Sequence, residues 1–260
     1  MGPLVNEKRI EFALSVAGAT AFVGIWWLLA ASPLTNPLLL PTPLAVVFAL
    51  VRFLREPFAN ATLGQHLIAS VGRFALGFSL AAIVAIPLGL AMGASRRLDD
   101  VVSPFFEAIR YVAPISWLPF AVLWFGTGIG GPIMIIFAGV FPTCLVNAYR
   151  GARFADPQLL EAASTLGAGS QHVLLDVLVP AALPSIVAGL RIGAGAGWQS
   201  LIGAELIIVS SGVGYAMVQA QSSLETPIVM TTMLAIGLIG ATIDVALRGL
   251  ERNVARWTPG

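Results

Sequence analysis

The residues able to do chemistry are few and widely spaced. Glu205 is a carboxylate inside an apolar stretch, where a charge is expensive and marks either a pathway or a partner. Two readings stand for it: pairing with Arg191 or a hydroxyl inside the helix bundle, or bracing a gate. Arg191 follows Gly189 and precedes Gly193. It either attracts an anion or extends its charged head to the membrane edge. Trp117, Trp124 and Trp198 are candidates for the wall of a pathway, set against core packing or interface anchoring, the commoner roles of tryptophan. Glu205 and Asp244 are the only acidic candidates for a coupling-ion site, and Asp244 falls near the end of its apolar segment. His66 and His172 are too far apart to hold zinc or haem on one helix and are expected to be solvated or interfacial. The single cysteine, Cys144, excludes a disulfide framework and a thiolate metal cluster. The chain has no HExxH and no GxSxG, the patterns of a zinc hydrolase and a nucleophile elbow. Its only lysine is Lys8 and it has no GxxxxGK[ST] phosphate loop. GTGIGG at 126–131 matches GxGxxG in form but lacks the strand–turn–helix setting of a dinucleotide site. No catalytic, cofactor-binding or metal-binding residue is expected.

The elements that must position these residues follow from composition. The chain has 260 residues, 57% of them apolar and 10% charged, against roughly 25% charged in soluble domains. Its mean hydropathy is +0.89. Too few polar residues remain to cover a soluble protein of this size, which excludes an ordinary cytosolic enzyme and a disordered chain. The net charge of +1 offers no footprint for nucleic acid. An all-α integral membrane protein remains, its apolar side chains facing lipid or one another.

A bilayer core needs about 20 apolar residues per helix. Such segments run at about 12–31, 67–94, 132–149, 177–209 and 227–247, with a further apolar stretch at 104–127 broken by Pro114 and Pro119. The first follows the charge cluster Glu7, Lys8, Arg9 and Glu11 and is too long for the core of a cleavable signal. A connector holding Pro33, Pro37, Pro41 and Pro43 includes a short apolar helix with Arg52 and Arg55, which is expected to lie along the interface. Lys8, Arg9, Arg96, Arg97, Arg150, Arg153, Arg248, Arg252 and Arg256 fall on one side and only Arg52 and Arg55 on the other. The positive-inside rule then gives about six spans with both termini cytoplasmic. Arg73, Arg110 and Arg191 lie in or beside spans and stand outside that count. Gly89 and Gly93, and Gly189, Gly193 and Gly197, are four apart, a spacing that lets helices approach closely.

The polar segment 153–176 separates the last two spans from the rest. Asp156 and Pro157 form a helix start, and Gly167 a helix stop. A short helix at 157–166 is therefore expected, with Ala162, Ala163 and Ser164 giving it a face of little bulk, and a second helix from about Ser170. The first helix either packs on its own bundle or receives another protein. Glu161 either pairs with a basic group on that partner or caps its own helix. Pro180 and Pro184 are expected to interrupt helix hydrogen bonding and stiffen a bend at the membrane entry.

The order of Glu161, Ala162, Ala163, three residues, Gly167, nine residues, then Val177, Val179 and Pro180 resembles the EAA motif of ATP-binding-cassette importer permeases. Valines stand where the family commonly has isoleucine and leucine. RYVAPISWLPFAVLWFGTG (110–128) and GLRIGAGAGWQSLIGAELIIVSSGVGYAMVQAQ (189–221) look like the nitrate, sulfonate, taurine and bicarbonate permeases, taurine permeases most. The likeness covers roughly 65–250.

That resemblance implies the type I importer permease fold, with cytoplasmic coupling helices. It divides the chain into an anchor span and connector at 1–64, a permease domain at 65–250 carrying the EAA loop at 153–176, and a cytoplasmic tail at 251–260. It implies a bacterial inner-membrane subunit that works as a pair of copies in lipid, with two ATPase subunits and a periplasmic substrate-binding protein. ATP and magnesium would bind the ATPase, and no nucleic acid is involved. Glu161, Ala162, Ala163, Gly167 and Pro180 would carry the coupling; Trp117, Trp198, Glu205 and Arg191 are candidates for pathway or gate. The cargo is expected to be a small anion, taurine or another alkanesulfonate first, then nitrate, bicarbonate or a pyrimidine precursor. A self-sufficient secondary transporter or channel is the competing class.

Overall fold

The computed structural model describes residues 3–33, 35–36 and 38–255. Among these there is no strand, only an isolated bridge between Phe58 and Ala61. Arg256 and Pro37 lie outside the described residues, as do the side chains of Glu7, Lys8, Arg9, Glu11 and Ser164.

Eleven helices follow one another among the described residues: α1 (Pro3–Ala31), α2 (Pro43–Arg55), α3 (Leu63–Ala94), α4 (Arg96–Ile109), α5 (Leu118–Phe125), α6 (Gly130–Arg153), α7 (Pro157–Thr165), α8 (Ser170–His172), α9 (Val179–Glu205), α10 (Val213–Ser222) and α11 (Thr226–Ala255). Pro114–Trp117 is a 3₁₀ turn ahead of α5, and Val173–Leu178 a π-helical turn joining α8 to α9. Five helical stretches are long and apolar enough to cross a membrane: Ala13–Ala31, Leu63–Ala94, Gly130–Arg153, Val173–Glu205 and Thr226–Val254. Arg96–Ile109 and Pro114–Phe125 add a sixth if taken as one span bent by 88°. Proline explains the break, since the residue before Pro114 is pushed out of helical geometry and Ala113 is extended at ψ 137°.

The chain divides into two compact units. The first comprises Met1–Leu63 and Ala216–Leu234. Within it, Thr42 caps α2 by accepting from the Ala45 N–H at 3.3 Å, with Pro43 opening the helix. Trp26 Nε1 donates to Pro41 O at 3.1 Å, and the Thr231 hydroxyl donates to Val46 O at 3.3 Å. Of α2, only Val46 and Phe53 are buried.

The second unit comprises Gly64–Tyr215 and Ala235–Gly260. Helix α6 is its centre, because small residues let α3 and α9 reach its backbone. A Cβ on Gly89 would stand 2.6 Å from Leu145 O, and one on Gly93 2.8 Å from Tyr149 O. On the other face, Cβ atoms on Gly189 and Gly193 would stand 2.5 Å from Asn147 Cβ and 3.1 Å from Cys144 Sγ, and one on Gly197 would overlap Val140. Both glycine runs are thus spent on packing within the chain. Phe74, Ile136, Val140, Leu145, Trp198 and Leu201 fill the seams between them. The apolar stretch that begins at about 177 is the single stretch expected, undivided at Pro180 and Pro184. The helix runs through both, and the wider π turn at Val173–Leu178 precedes Pro180.

Candidate functional site

The segment between α6 and α9 is built as a hard turn. The Asp156 carboxylate accepts from the Gln158 N–H at 2.9 Å, and its carbonyl accepts from Leu159 at 3.1 Å, which starts α7. The end is a left-handed cap. Gly167 has φ +78°, and the Ala168 N–H reaches back to Ala163 O at 3.0 Å, the bond that closes a helix around a glycine in that conformation. A side chain at this φ is strained. The chain then reverses into α8, and α7 packs against the π turn.

What α7 leaves outward is unusual for a polar loop. Glu161 and Ala162 are exposed and Ala163 is half-buried. Around them, Phe154 is 80% exposed, Leu166 87%, and Leu159 and Leu175 more than half. Small residues beside solvent-facing apolar side chains, outside the candidate spans except Leu175, form a surface that another protein can cover closely.

At the far end of α9, roughly 38 Å from Pro180 at 1.5 Å per residue, sits Glu205, wholly buried. Its partner is Arg73 of α3, not Arg191: Arg73 Nη1 donates to Oε1 at 2.8 Å. The Ser70 hydroxyl lies 2.8 Å from both carboxylate oxygens, and the Gly214 N–H donates to Oε2 at 3.1 Å. Arg73 also donates to the Ser211 carbonyl at 2.9 Å and to its hydroxyl. Ser70 Oγ accepts from the Val213 N–H at 2.9 Å. His66 is not solvated but 1% exposed, its Nδ1 accepting from the Gly212 N–H at 3.1 Å. Gly212, at φ +107°, lies so close to the carboxylate that a Cβ would overlap it. The cluster satisfies a buried charge and clamps the loop 211–214 onto α3. The signal for it was a stripe: His66, Ser70 and Arg73 are spaced four and three apart on an apolar helix, one face of a 3.6-residue period.

The other candidates are placed separately. Arg191 donates to Asp244 at 2.7 Å and Glu251 at 2.9 Å, and Arg248 meets the second oxygen of Asp244 at 2.8 Å, so its charge is spent between α9 and α11. Trp198 is buried against Phe74 and donates to Ile236 O at 3.1 Å. Trp117 stacks obliquely on Phe120 and borders an apolar cavity of about 230 Å³ with Phe137 and Phe141. The coupling residues and these four do not converge on one pocket. Among the described residues no group of acidic, histidine and cysteine side chains is arranged to hold a metal.

A family model described as binding-protein-dependent transport system inner membrane component matches residues 85–258. The chain is 35% identical to the taurine transport system permease protein of Escherichia coli (strain K12), over 99% of this chain and 98% of that one. It is 37% identical to a putative ABC transporter permease of Methanocaldococcus jannaschii, over 97% and 94%. A nitrate import permease of Synechocystis is 29% identical over 96% and 91%. In structure, it resembles the inward-facing MetNI methionine ABC transporter with a TM-score of 0.65 at 17% identity, covering 74% of this chain and 95% of that one. That likeness is one of fold, the type I importer permease.

Proposed function

We propose, for a chain that belongs to the family of binding-protein-dependent transport-system inner membrane components, that it is the permease of an ATP-driven importer of small anions, coupled through α7. The cargo is an organosulfonate, taurine first, with nitrate, bicarbonate or a pyrimidine precursor as further members of the range. Two copies form the pathway in the inner membrane, with both termini cytoplasmic. A periplasmic binding protein delivers the cargo. Nucleotide and magnesium sit on two ATPase subunits, and this chain performs no bond chemistry.

The observation that carries the coupling is the surface of α7. Ala162 and Ala163 let a partner's cleft close on the helix, the exposed Phe154, Leu159 and Leu166 supply apolar area to bury, and Glu161 offers a charge at the edge. The left-handed turn at Gly167 fixes the direction from α7 into the π turn and α9. Movement of α7 under the ATPase therefore reaches a long helix that packs along α6. Glu205, Arg73 and the loop they clamp serve as the rigid outer end of that lever.

The test is co-purification of the tagged chain from its native host in mild detergent, beside Glu161→Arg and Ala163→Trp. An ATPase accompanies the parent and is lost from both variants, while all three elute alike in detergent. A parent that purifies without any ATPase contradicts the proposal and favours a self-sufficient transporter or channel.

A further inference from the structure

Three arginines lie in or beside the apolar segments, and the structure separates them. Arg73 is consumed by Glu205 and Ser211. Arg191 faces two carboxylates. Arg110 has one, the half-exposed Glu107 three residues back, at 2.8 Å from Nε. It stands at the break between α4 and the 3₁₀ turn, where backbone leaves the helix inside a bent apolar pair. It borders an open cavity of about 380 Å³ with Tyr111, Pro142, Thr143, Val146 and Asn147, whose outer wall, Tyr111, is 75% exposed.

The polar lining of this cavity donates. Arg110 Nη2 donates to the Tyr111 hydroxyl at 2.8 Å, with the guanidinium 4.8 Å over the Tyr111 ring. The phenol oxygen is therefore the acceptor in that bond, and its own hydrogen points elsewhere. Asn147 Nδ2 spends one hydrogen on Thr143 O at 2.8 Å and keeps another. The Thr143 hydroxyl completes the set. No carboxylate lines the cavity, and Arg150 follows Asn147 at the next turn of α6. Glu107 meets Arg110 at Nε, while the Nη side carries the bond to the Tyr111 hydroxyl at the cavity wall. Arginine's fixed fork matches the planar edge of an oxyanion.

We infer that this cavity is a site for the cargo on the permease itself: Arg110, with Tyr111, Thr143 and Asn147, takes a small oxyanion at the break in the third apolar segment. The ligand is a three-oxygen anionic group, as in a sulfonate, nitrate or bicarbonate. This rests on the reading of the chain as an anion-importer permease, and it places a selective step inside the membrane subunit and not solely on the binding protein.

The test needs no knowledge of the partners. In a Cys144→Ser background, Thr143→Cys in native membranes is labelled with anionic sulfonatoethyl methanethiosulfonate and cationic trimethylammonioethyl methanethiosulfonate, each rate normalised to a free thiol. The anionic reagent reacts about tenfold faster, the scale of electrostatic focusing in a charged cleft. Arg110→Gln abolishes that preference and Arg110→Lys retains part of it. Taurine or sodium nitrate slows the anionic reagent, with sodium gluconate at equal ionic strength as control. Equal normalised rates, a preference that survives Arg110→Gln, or a sulfur that reacts with neither reagent overturns the inference. A chain that shows the preference but recruits no ATPase contradicts the importer and leaves the anion site standing.

Discussion

Removing the Arg73 guanidinium strands Glu205, because that carboxylate has no route to water. Arg73→Met should destabilise the chain by about 3–5 kcal/mol, the cost of breaking a buried ion pair from one side. Glu205→Gln should cost less, since an amide still accepts from Ser70 and Gly214, and the double variant should be milder than Arg73→Met alone. Unfolding of the detergent-solubilised variants followed by tryptophan fluorescence gives the order; a double-variant loss equal to the sum of the two single losses would mean that the cluster is not coupled. Gly212→Ala should cost about 1–3 kcal/mol on the same readout, the scale of a strained backbone conformation. At this scale the sequence was only half readable. Glu205 declared itself as a charge in the wrong solvent. Its partner lies 132 positions away, and a uniformly apolar helix does not say which neighbour its faces meet. Arg191 was the nearer arginine in sequence and proved to be held by α11.

Helices α3, α6 and α9 stay together through small residues, so bulk at the contact is their weak point. Gly89→Ala and Gly93→Ala should each destabilise, as their Cβ atoms would meet backbone oxygens of α6 that cannot step aside; overpacking of this kind costs about 1–3 kcal/mol. Gly72→Ala, on an exposed face of α3 with nothing within 4 Å, should be neutral or stabilising by about 0.4–1 kcal/mol. Thermal scans of the three variants decide it, and a Gly72→Ala loss as large as that of Gly89→Ala would remove the packing argument. Gly167→Val should leave the spans folded and the thermal midpoint nearly unchanged, yet weaken ATPase co-purification, because a β-branched residue disfavours φ +78°. The short helix and its stop were legible because capping is local chemistry: the expectation of 157–166 met a helix at Pro157–Thr165. The break at Pro114 was legible for the same reason. The π turn at Val173–Leu178, ahead of Pro180, was not, because a wider turn leaves no mark in the residue types.

For the whole chain, hydropathy alone separated a membrane protein from every soluble class, and the residues spelling the EAA motif and the two long segments pointed to a family that the full-length relatives bear out. Membrane orientation rests on counting arginines. It is checked by single cysteines at Arg97 and at Arg55 in a Cys144→Ser background, where an impermeant thiol reagent added to intact cells should label position 55 and spare position 97. Labelling of 97 alone would invert the topology. Whether ATP hydrolysed by a partner drives cargo through this chain is decided in proteoliposomes. The complex that co-purifies with the tagged chain is reconstituted with a periplasmic binding protein from the same host, and uptake of labelled taurine or nitrate is measured. Accumulation is expected to need both internal ATP and the binding protein, to collapse in Glu161→Arg, and to ignore an imposed proton or sodium gradient. Accumulation driven by the gradient, with neither ATP nor binding protein present, would contradict that expectation.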